Sequence, residues 1–332
     1  MIEEIQKKID TKTKPLGSLG KLEDIAFKIA KVQNTLNPKL IKPSMLVFAG
    51  DHGISDEGVS PFPKEVTWQM VMNFVGGGAA INVFCEQNNI ELAVVDSGVD
   101  YDFPELPNLL KEKVAFGTKN MKLEPAMTID QCKDSMKRGS KLVNIKAKEG
   151  CNIIGFGEMG ISNTSAASLL MSKFCNIPVE ETIGRGTGLN DEGVIHKTKI
   201  LKEVSSLHEG VSKPLEVLST VGGFEIAMMC GAMLEAYDNN MIILIDGFIS
   251  TSALLAAHAM NPDILDNCIF SHMSNENGHK KMLDFLGVDA VLNLGLRLGE
   301  GSGVAIAYPL IESSVSFFNK MASFEDAGVS DS

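Results

Sequence analysis

The sequence has no long hydrophobic run, no Cys-x-x-Cys pair and no excess of positive charge. Its longest apolar runs, such as Met241 to Ile245, are far too short to span a bilayer. The polar segment Met1 to Asp10 lacks the apolar core of a secretory signal. The six cysteines are scattered, so we expect reduced, buried thiols in a cytoplasmic protein without a disulfide scaffold. The net charge of −12 argues against nucleic acid or an anionic membrane as the main partner.

The rest of the composition is typical of a folded protein. With 332 residues, of which 44% are hydrophobic and 22% charged, the chain can bury a full core. Short apolar runs alternate with longer helical patterns, which indicates βα units around a parallel sheet. We predict buried strands at Met45 to Ala49, Leu92 to Asp96, Cys151 to Phe156, Met241 to Asp246 and Asn267 to Phe270. Each run is apolar throughout, so helices should cover both faces of a doubly wound α/β sheet.

Helical patterns precede the first of these strands, fill the intervals between them and follow the last one. They span Leu22 to Gln33, Lys64 to Phe74, Ala79 to Gln87, Asp130 to Lys148, Asn163 to Phe174, Glu192 to Leu207, Phe224 to Ala236, Thr251 to Met260, Gly278 to Phe285 and Val304 to Met321. Thr128 and Gln131 predict a capping box before one of them. Residues 1–40 and 305–332 lie outside the alternating region. We predict that they pair into a small helical domain beside a large α/β domain at 41–304.

Glycines cluster where the predicted strands end. Such segments are Ala49 to Gly53, Asp96 to Gly98, Gly155 to Gly160 and Asp246-Gly247, with further glycine turns at Gly184 to Gly188 and Gly299 to Gly303. Glycine lets backbone N–H groups approach an anion, and the start of a following helix favours negative charge. Because ligands of open α/β sheets bind beyond the carboxyl ends of the strands, these segments predict a ligand site there.

One segment, Gly155-x-Gly157-x-x-Gly160, matches the dinucleotide-binding pattern, so an NAD-dependent oxidoreductase is one alternative. Two features argue against it. Glu158 would repel a pyrophosphate, and the acids about twenty residues further on, Glu180 and Glu181, end no recognisable strand. Tight turns without any ligand are the other alternative, which fits a single loop better than the whole set.

Two glutamates, Glu158 and Glu300, stand beside glycines in the predicted anion-binding loops. Helix capping would explain one such glutamate. A carboxylate near a bound phosphate is repelled by it, so a second function such as general-base catalysis is favoured. Lys197 and Arg185 offer cations for a phosphate, with solvated surface charge as the alternative.

The other polar candidates are less specific. His52, His272 and His279 have no partners at metal-ligand spacing, so we expect structural or substrate-contacting histidines. The segment ending in Asp246 resembles the acidic loop of diphosphate-dependent phosphoribosyltransferases, which carry two adjacent acids there. With one acid, a magnesium-diphosphate mechanism is disfavoured, and a ribose contact by Asp246 is the remaining hypothesis.

Motifs that run in order from about residue 13 to 330 together resemble one family. They are Lys14 to Gly20, Phe48 to Gly53, Gly58 to Ser60, Pro63 to Thr67, Asn73-Phe74, Gly77 to Asn82, Gly157 to Thr164, Gly184 to Leu189, Asp246 to Thr251, Phe270 to His272 and Leu294 to Gly301. This set resembles the nicotinate-nucleotide:dimethylbenzimidazole phosphoribosyltransferases, which make the lower-ligand nucleotide of cobalamin.

The resemblance implies a reaction, a fold and an assembly. Nicotinate mononucleotide would give its 5-phosphoribosyl group to 5,6-dimethylbenzimidazole or a related base, forming α-ribazole 5′-phosphate and nicotinate with inversion at the anomeric carbon. It implies a Rossmann-like sheet with a small domain from both termini, a homodimer, and no metal or other cofactor. No nucleic-acid or membrane partner is expected.

The resemblance also implies residue roles. It assigns the general base to Glu300 and supporting roles near the ribosyl phosphate to Glu158 and Lys197. Residues implied to contact phosphate or nucleotide are Gly160, Gly186, Thr187, Ser274 and Gly303, and those near the azole pocket are Ser60, Gln69 and Leu298.

The sequence departs from the family pattern at two positions. Ser162 stands where many relatives carry glycine, and Met273 follows His272 where arginine is common. A non-catalytic nucleotide-binding or regulatory module is kept as a second alternative function.

Overall fold

The carboxyl ends of six parallel strands meet at one edge of a single sheet. The computed structural model describes residues 1–186 and 188–330, and within them the strand order is β3-β2-β1-β4-β5-β6. The strands are β1 (Ser44–Gly50), β2 (Glu91–Gly98), β3 (Leu109–Lys111), β4 (Ile153–Met159), β5 (Ile242–Ile245) and β6 (Cys268–Phe270). The order reverses between β1 and β4, which creates the crevice where doubly wound sheets bind ligands. The predicted doubly wound, Rossmann-like α/β class is confirmed.

Alternate residues of the central strands enter two separate cores because helices cover both faces. On β1, Leu46 and Phe48 pack into one cluster with Phe156, whereas Met45 and Val47 pack into the other. Burial on both faces explains why these strands are apolar at every position.

The helices surround this sheet in βα order. They are α1 (Ile2–Asp10), α2 (Lys21–Val32), α3 (Val66–Val75), α4 (Ala80–Gln87), α5 (Ile129–Lys148), α6 (Asn163–Cys175), α7 (Asp191–Leu207), α8 (Pro214–Val221), α9 (Phe224–Asp238), α10 (Phe248–Met260), α11 (His279–Leu286), α12 (Ser302–Lys320) and α13 (Phe324–Ala327). The capping box before α5 is confirmed, since the Gln131 N–H donates to Thr128 Oγ1 at 3.1 Å and the Thr128 N–H donates to Gln131 Oε1 at 3.0 Å. Among the described residues, no helix is long and apolar enough to cross a membrane.

The predicted end of the strand Cys151 to Phe156, which is β4 in the structure, was wrong. Instead of stopping at Phe156, β4 continues to Met159, so Gly155 and Gly157 lie inside the strand and not in a phosphate-binding turn. A Cβ on Gly155 would come within 2.7 Å of Val304 Cγ1, which shows that close packing requires glycine there. This placement removes the dinucleotide-binding interpretation of the glycine pattern.

Four elements were missed by sequence reasoning. They are α1, β3, α8 and α13. In α1 only Ile5 and Ile9 are buried, and β3 has three residues, so both carry too few apolar positions to show a period.

Both chain ends pack together, as their position outside the alternating region suggested. Ile5, Ile9, Ala26, Ala30 and Phe318 form one buried cluster between α1, α2 and α12. The opposite side of α2 and most of α12 contribute to the core against the sheet. The division into 1–40 with 305–332 and 41–304 stays a prediction.

Candidate active site

A cavity of about 330 Å³ lies at the carboxyl edge of the sheet, beside the reversal of strand order. Its wall includes residues at or just after the ends of β4, β5 and β6, namely Glu158 to Thr164, Asp246 to Ser250, His272 and Ser274. The start of α3 and the turn before α12 contribute Val66 and Glu300, and the 184–186 turn and α7 contribute Gly186 and Lys197. Its location is therefore the one that the glycine clusters predicted.

Glu300 enters this cavity from a strained turn. Its φ is 65°, between 85° at Gly299 and 87° at Gly301, so three consecutive residues occupy the left-handed region. That conformation costs a residue with a side chain about 1–2 kcal/mol, and such strain concentrates at functional sites. Glu300 Oε2 is buried and has no hydrogen-bond partner among the described residues. Burial raises the pKa of Glu300 to about 7, although a backbone hydrogen bond from Ile81 opposes the shift. The free oxygen and near-neutral pKa suit a proton acceptor.

Glu158 lies in β4, next to the turn that carries Glu300. Its Oε2 accepts a hydrogen bond from Asn163 Nδ2, and the Glu300 backbone also hydrogen-bonds to its carboxyl group. Burial raises the pKa of Glu158 to about 8, with Asp246 and Glu225 adding to the shift. The carboxyl group of Glu158 is therefore mostly protonated at pH 7 in the free protein.

Asp246 ties the Glu300 turn to the end of β5. Its Oδ2 accepts the Gly301 N–H and its Oδ1 accepts the Val304 N–H, both at 3.2 Å. These donors belong to the N-terminus of α12, where a carboxylate is favoured. Burial raises the pKa of Asp246, and the backbone donors act in the opposite direction. Asp246 thus fixes the position of Glu300, and the ribose contact stays a prediction.

Lys197 gives the cavity a buried cation. The side chain is 1% exposed, and its Nζ donates to Thr164 Oγ1 at 2.8 Å near the N-terminus of α6. Burial lowers the pKa of Lys197 to about 8, opposed by the charge of Glu276. A Cβ on Gly186 would lie 3.9 Å from Nζ, so the 184–186 turn closes over the same place. Just before α6, Ser162 has a φ of 76° and a buried Oγ without a partner among the described residues. A helix N-terminus, a cation and a free hydroxyl together can bind an anion.

A buried histidine supports the segment after β6. The Ser274 N–H donates to His279 Nδ1 at 2.8 Å, and Nε2 lies 2.9 Å from Thr251 Oγ1. Because Nδ1 accepts, the ring proton is on Nε2 and is donated to Thr251. Burial lowers the pKa of His279 to about 3, so it stays neutral. Of the two predicted roles, structural or substrate-contacting, His279 has the structural one.

Thr67, on α3, holds the cavity wall just after β4. Its Oγ1 accepts the Ile161 N–H at 3.1 Å, and its hydroxyl also hydrogen-bonds to the Asp51 carboxylate. Nearby, His52 Nε2 lies 2.6 Å from Glu225 Oε1, and both side chains are fully buried. In the described part of the chain, no cluster of His, Cys, Asp and Glu could hold a metal ion.

Comparisons with known proteins match this chain over nearly its whole length. The profile of a family described as "Phosphoribosyltransferase" matches residues 1–329. A relative from Cupriavidus necator is 51% identical over 98% of this chain and 94% of its own length. One from Dechloromonas aromatica is 53% identical over 98% and 95%. Both are named nicotinate-nucleotide–dimethylbenzimidazole phosphoribosyltransferase. The chain belongs to this phosphoribosyltransferase family.

The fold is shared with a solved family structure. The crystal structure of CobT from Thermus thermophilus superposes with a TM-score of 0.96 at 38% identity. The match covers 100% of this chain and 99% of that one. The resemblance predicted from the motifs is thereby confirmed at the level of family and fold.

Most residues that the family resemblance singled out meet in the cavity. Eight of these eleven line it, namely Ser60, Glu158, Gly160, Gly186, Lys197, Ser274, Leu298 and Glu300, and so does Asp246, the predicted ribose contact. Gln69 does not line it, and its side chain is exposed on α3. Gly303 also lies outside the lining, where a Cβ would overlap the His272 ring. Thr187 lies outside the described residues.

Several residues of the site were missed by sequence reasoning. Asn163, Thr164 and Glu276 each contact a residue that had been singled out, and Thr67 holds the wall of the cavity through Ile161. Thr67, Asn163 and Thr164 do lie inside the family motifs that the sequence contains, which is the signal that could have found them. Apolar residues such as Phe62 and Met70 also line the cavity.

Proposed function

We propose that this family member transfers the 5-phosphoribosyl group of nicotinate mononucleotide to 5,6-dimethylbenzimidazole or a related azole. The products are nicotinate and α-ribazole 5′-phosphate. The observation that carries the proposal is that one cavity holds both a Glu300 carboxylate oxygen, which has no hydrogen-bond partner in the described part of the chain, and a buried cation, Lys197. Relatives about half identical in sequence bear the name of this reaction.

The phosphate of the mononucleotide would bind where α6 begins. Lys197, the backbone of Gly160 and Gly186, and Ser274 surround this place, and we extend the same role to Thr187. A phosphate is favoured by the N-terminal end of a helix and by a charged ammonium group. The ribose then extends along the wall formed by β4 and β5, near Glu158 and Asp246.

The acceptor base would lie against the apolar part of the lining. Phe62, Val66, Met70, Met159 and Leu298 offer surfaces to a flat heteroaromatic ring, with Ser60 beside them. Gln69 and Gly303 stay predicted contacts. Gln69 would reach the substrate after a rearrangement on binding, and Gly303 would act through His272.

Glu300 acts as the general base. The bond between the pyridinium nitrogen and the anomeric carbon breaks, and its electron pair neutralises the pyridinium. One azole nitrogen bonds to that carbon from the opposite face, and the proton of the other nitrogen passes to Glu300. The leaving group needs no acid, so in-line positioning and this proton transfer supply most of the catalysis.

Glu158 and Asp246 support this step at two different places, the ribose and the turn of Glu300. The mostly protonated Glu158 can donate a hydrogen bond to a ribose oxygen, which an ionised carboxylate cannot do. Asp246 holds the turn of Glu300 through two backbone donors.

A chromatographic assay of purified protein with both substrates tests the proposal. Nicotinate and ribazole phosphate should form in equal amounts, and neither should form without the azole. Binding of the mononucleotide without turnover on any azole would contradict the proposal and favour a non-catalytic nucleotide-binding module.

We further propose that the protein is a cytoplasmic homodimer, as the family resemblance implies. The six cysteines are free and buried, which fits a reducing compartment. Light scattering after size-exclusion chromatography tests the dimer, and cell fractionation tests the compartment.

A further inference from the structure

Glu276 brings a carboxylate group to the place proposed for the substrate phosphate. It lies between β6 and α11 and lines the same cavity as Lys197 and Gly186. Its backbone is fixed, since its N–H donates to Ser274 Oγ at 3.3 Å and its carbonyl accepts the His279 N–H at 3.1 Å. The side chain is pressed on the 184–186 turn, because a Cβ on Gly184 would overlap Glu276 Oε2.

The partners of this carboxylate are groups that a phosphate would use. The Gly186 backbone hydrogen-bonds to it, and the charges of Lys197 and Arg297 both attract it. Arg297 is tied to the same turn, since its Nη1 donates to the Gly186 carbonyl at 3.4 Å. Within the described residues, Glu276 forms no direct ion pair with Lys197, but in the free protein its charge favours the charged form of this lysine, which is almost fully buried and costly to charge without a partner.

We propose that Glu276 is an internal counter-ion of the phosphate site, which neutralises Lys197 in the free protein and gives way when a phosphate ester binds. This inference rests on the proposed function, because it takes the phosphate to bind at Lys197 and Gly186. Because a carboxylate and a phosphate repel each other, each phosphate bound at Lys197 and Gly186 must displace Glu276 or bind against its field. Glu276 therefore weakens the binding of substrate and product alike.

A weaker phosphate site has a kinetic consequence. Both the mononucleotide and the ribazole product carry the 5′-phosphate, so Glu276 acts equally on the ground state and the transition state. Removing such a uniform effect lowers KM and leaves kcat nearly unchanged. A residue that only oriented Lys197 would give the opposite result, since its loss would weaken phosphate binding.

The test compares Glu276→Gln with Glu181→Gln as a matched control. Glu181 is an exposed carboxylate that pairs with Lys281 at 2.8 Å and does not line the cavity, so its variant loses the same charge elsewhere. Titration calorimetry would measure the binding of inorganic phosphate and of nicotinate mononucleotide without azole. For Glu276→Gln we expect Kd to fall at least about fivefold for both ligands and KM to fall with it. The control should match wild type.

An unchanged or raised Kd for both ligands in Glu276→Gln and in Glu276→Ala would overturn the proposal. The Ala variant guards against a new hydrogen bond from the glutamine amide. If wild type bound phosphate but neither bound nor converted the mononucleotide, the proposed function would fail, and the phosphate comparison would still decide the role of Glu276. If wild type bound neither ligand, both inferences would fall.

Discussion

Gly157 of β4 lies directly under the backbone of Glu300, so closely that a Cβ at position 157 would overlap the Glu300 carbonyl oxygen. The same Cβ would lie 2.7 Å from the Gly301 nitrogen. These atoms are backbone and cannot turn aside. The strand therefore needs glycine at this position so that the turn can hold the carboxylate over the sheet.

Gly157→Ala should shift the Glu300 turn and lower kcat about 10- to 100-fold while the protein still folds. A displacement of the Glu300 carboxylate by about 1 Å is enough to lower kcat by this factor. Overpacking should also lower the free energy of unfolding by about 1–3 kcal/mol. Steady-state kinetics and urea unfolding measure the two effects. Gly210→Ala is the control, since a Cβ there meets nothing within 4 Å, and equal losses in both variants would contradict the relationship.

Thr67→Val should weaken mononucleotide binding more than Gln69→Ala does. Valine keeps the shape but leaves the buried Ile161 N–H without its acceptor, at a cost of about 1–3 kcal/mol in stability. The wall after β4 should then move, and KM for the mononucleotide should rise several-fold. Because Gln69 is exposed and outside the cavity lining, its loss should leave that KM unchanged. A larger effect at Gln69 than at Thr67 would show that Gln69 reaches the substrate.

The fold was predictable where local pattern and tertiary environment agree. Strands buried on both faces are apolar at each position, and the Thr128 box specifies its helix locally. Gly155 and Gly157 were misread because glycine usually signals a turn, whereas here the turn of Glu300 and Val304 press on the strand.

The sequence predicted most of the residues that line the site, but not the contacts between them. On α3 the apolar residues surround the helix, so sequence could not tell that Thr67 faces inward and Gln69 outward. The bond between Asp246 and the start of α12 joins segments far apart in the chain. No local pattern encodes such a contact, and this is also why Glu276 was missed.

Glu158→Gln should change how stability depends on pH. Burial raises the pKa of Glu158 to about 8 from an ordinary value of 4.5, so between these pH values the folded state holds a proton that the unfolded state releases. Wild-type stability should therefore fall as pH rises from about 5 to 8. In the variant this fall should be smaller by an amount on the order of a few kcal/mol. Urea unfolding at pH 5, 6.5 and 8 measures it, and parallel curves for both proteins would mean that Glu158 is ionised throughout.

The most direct test of the account is the chromatographic assay of wild type and Glu300→Gln with nicotinate mononucleotide and dimethylbenzimidazole. Gln keeps the shape of the side chain but cannot accept the azole proton. Wild type should form ribazole phosphate, at a rate that increases as pH is raised through about 7, where Glu300 ionises. The variant should still bind the mononucleotide but turn over about 100-fold or more slowly. Equal activity of the two proteins would contradict the claim that Glu300 is the base and would move that role to Glu158.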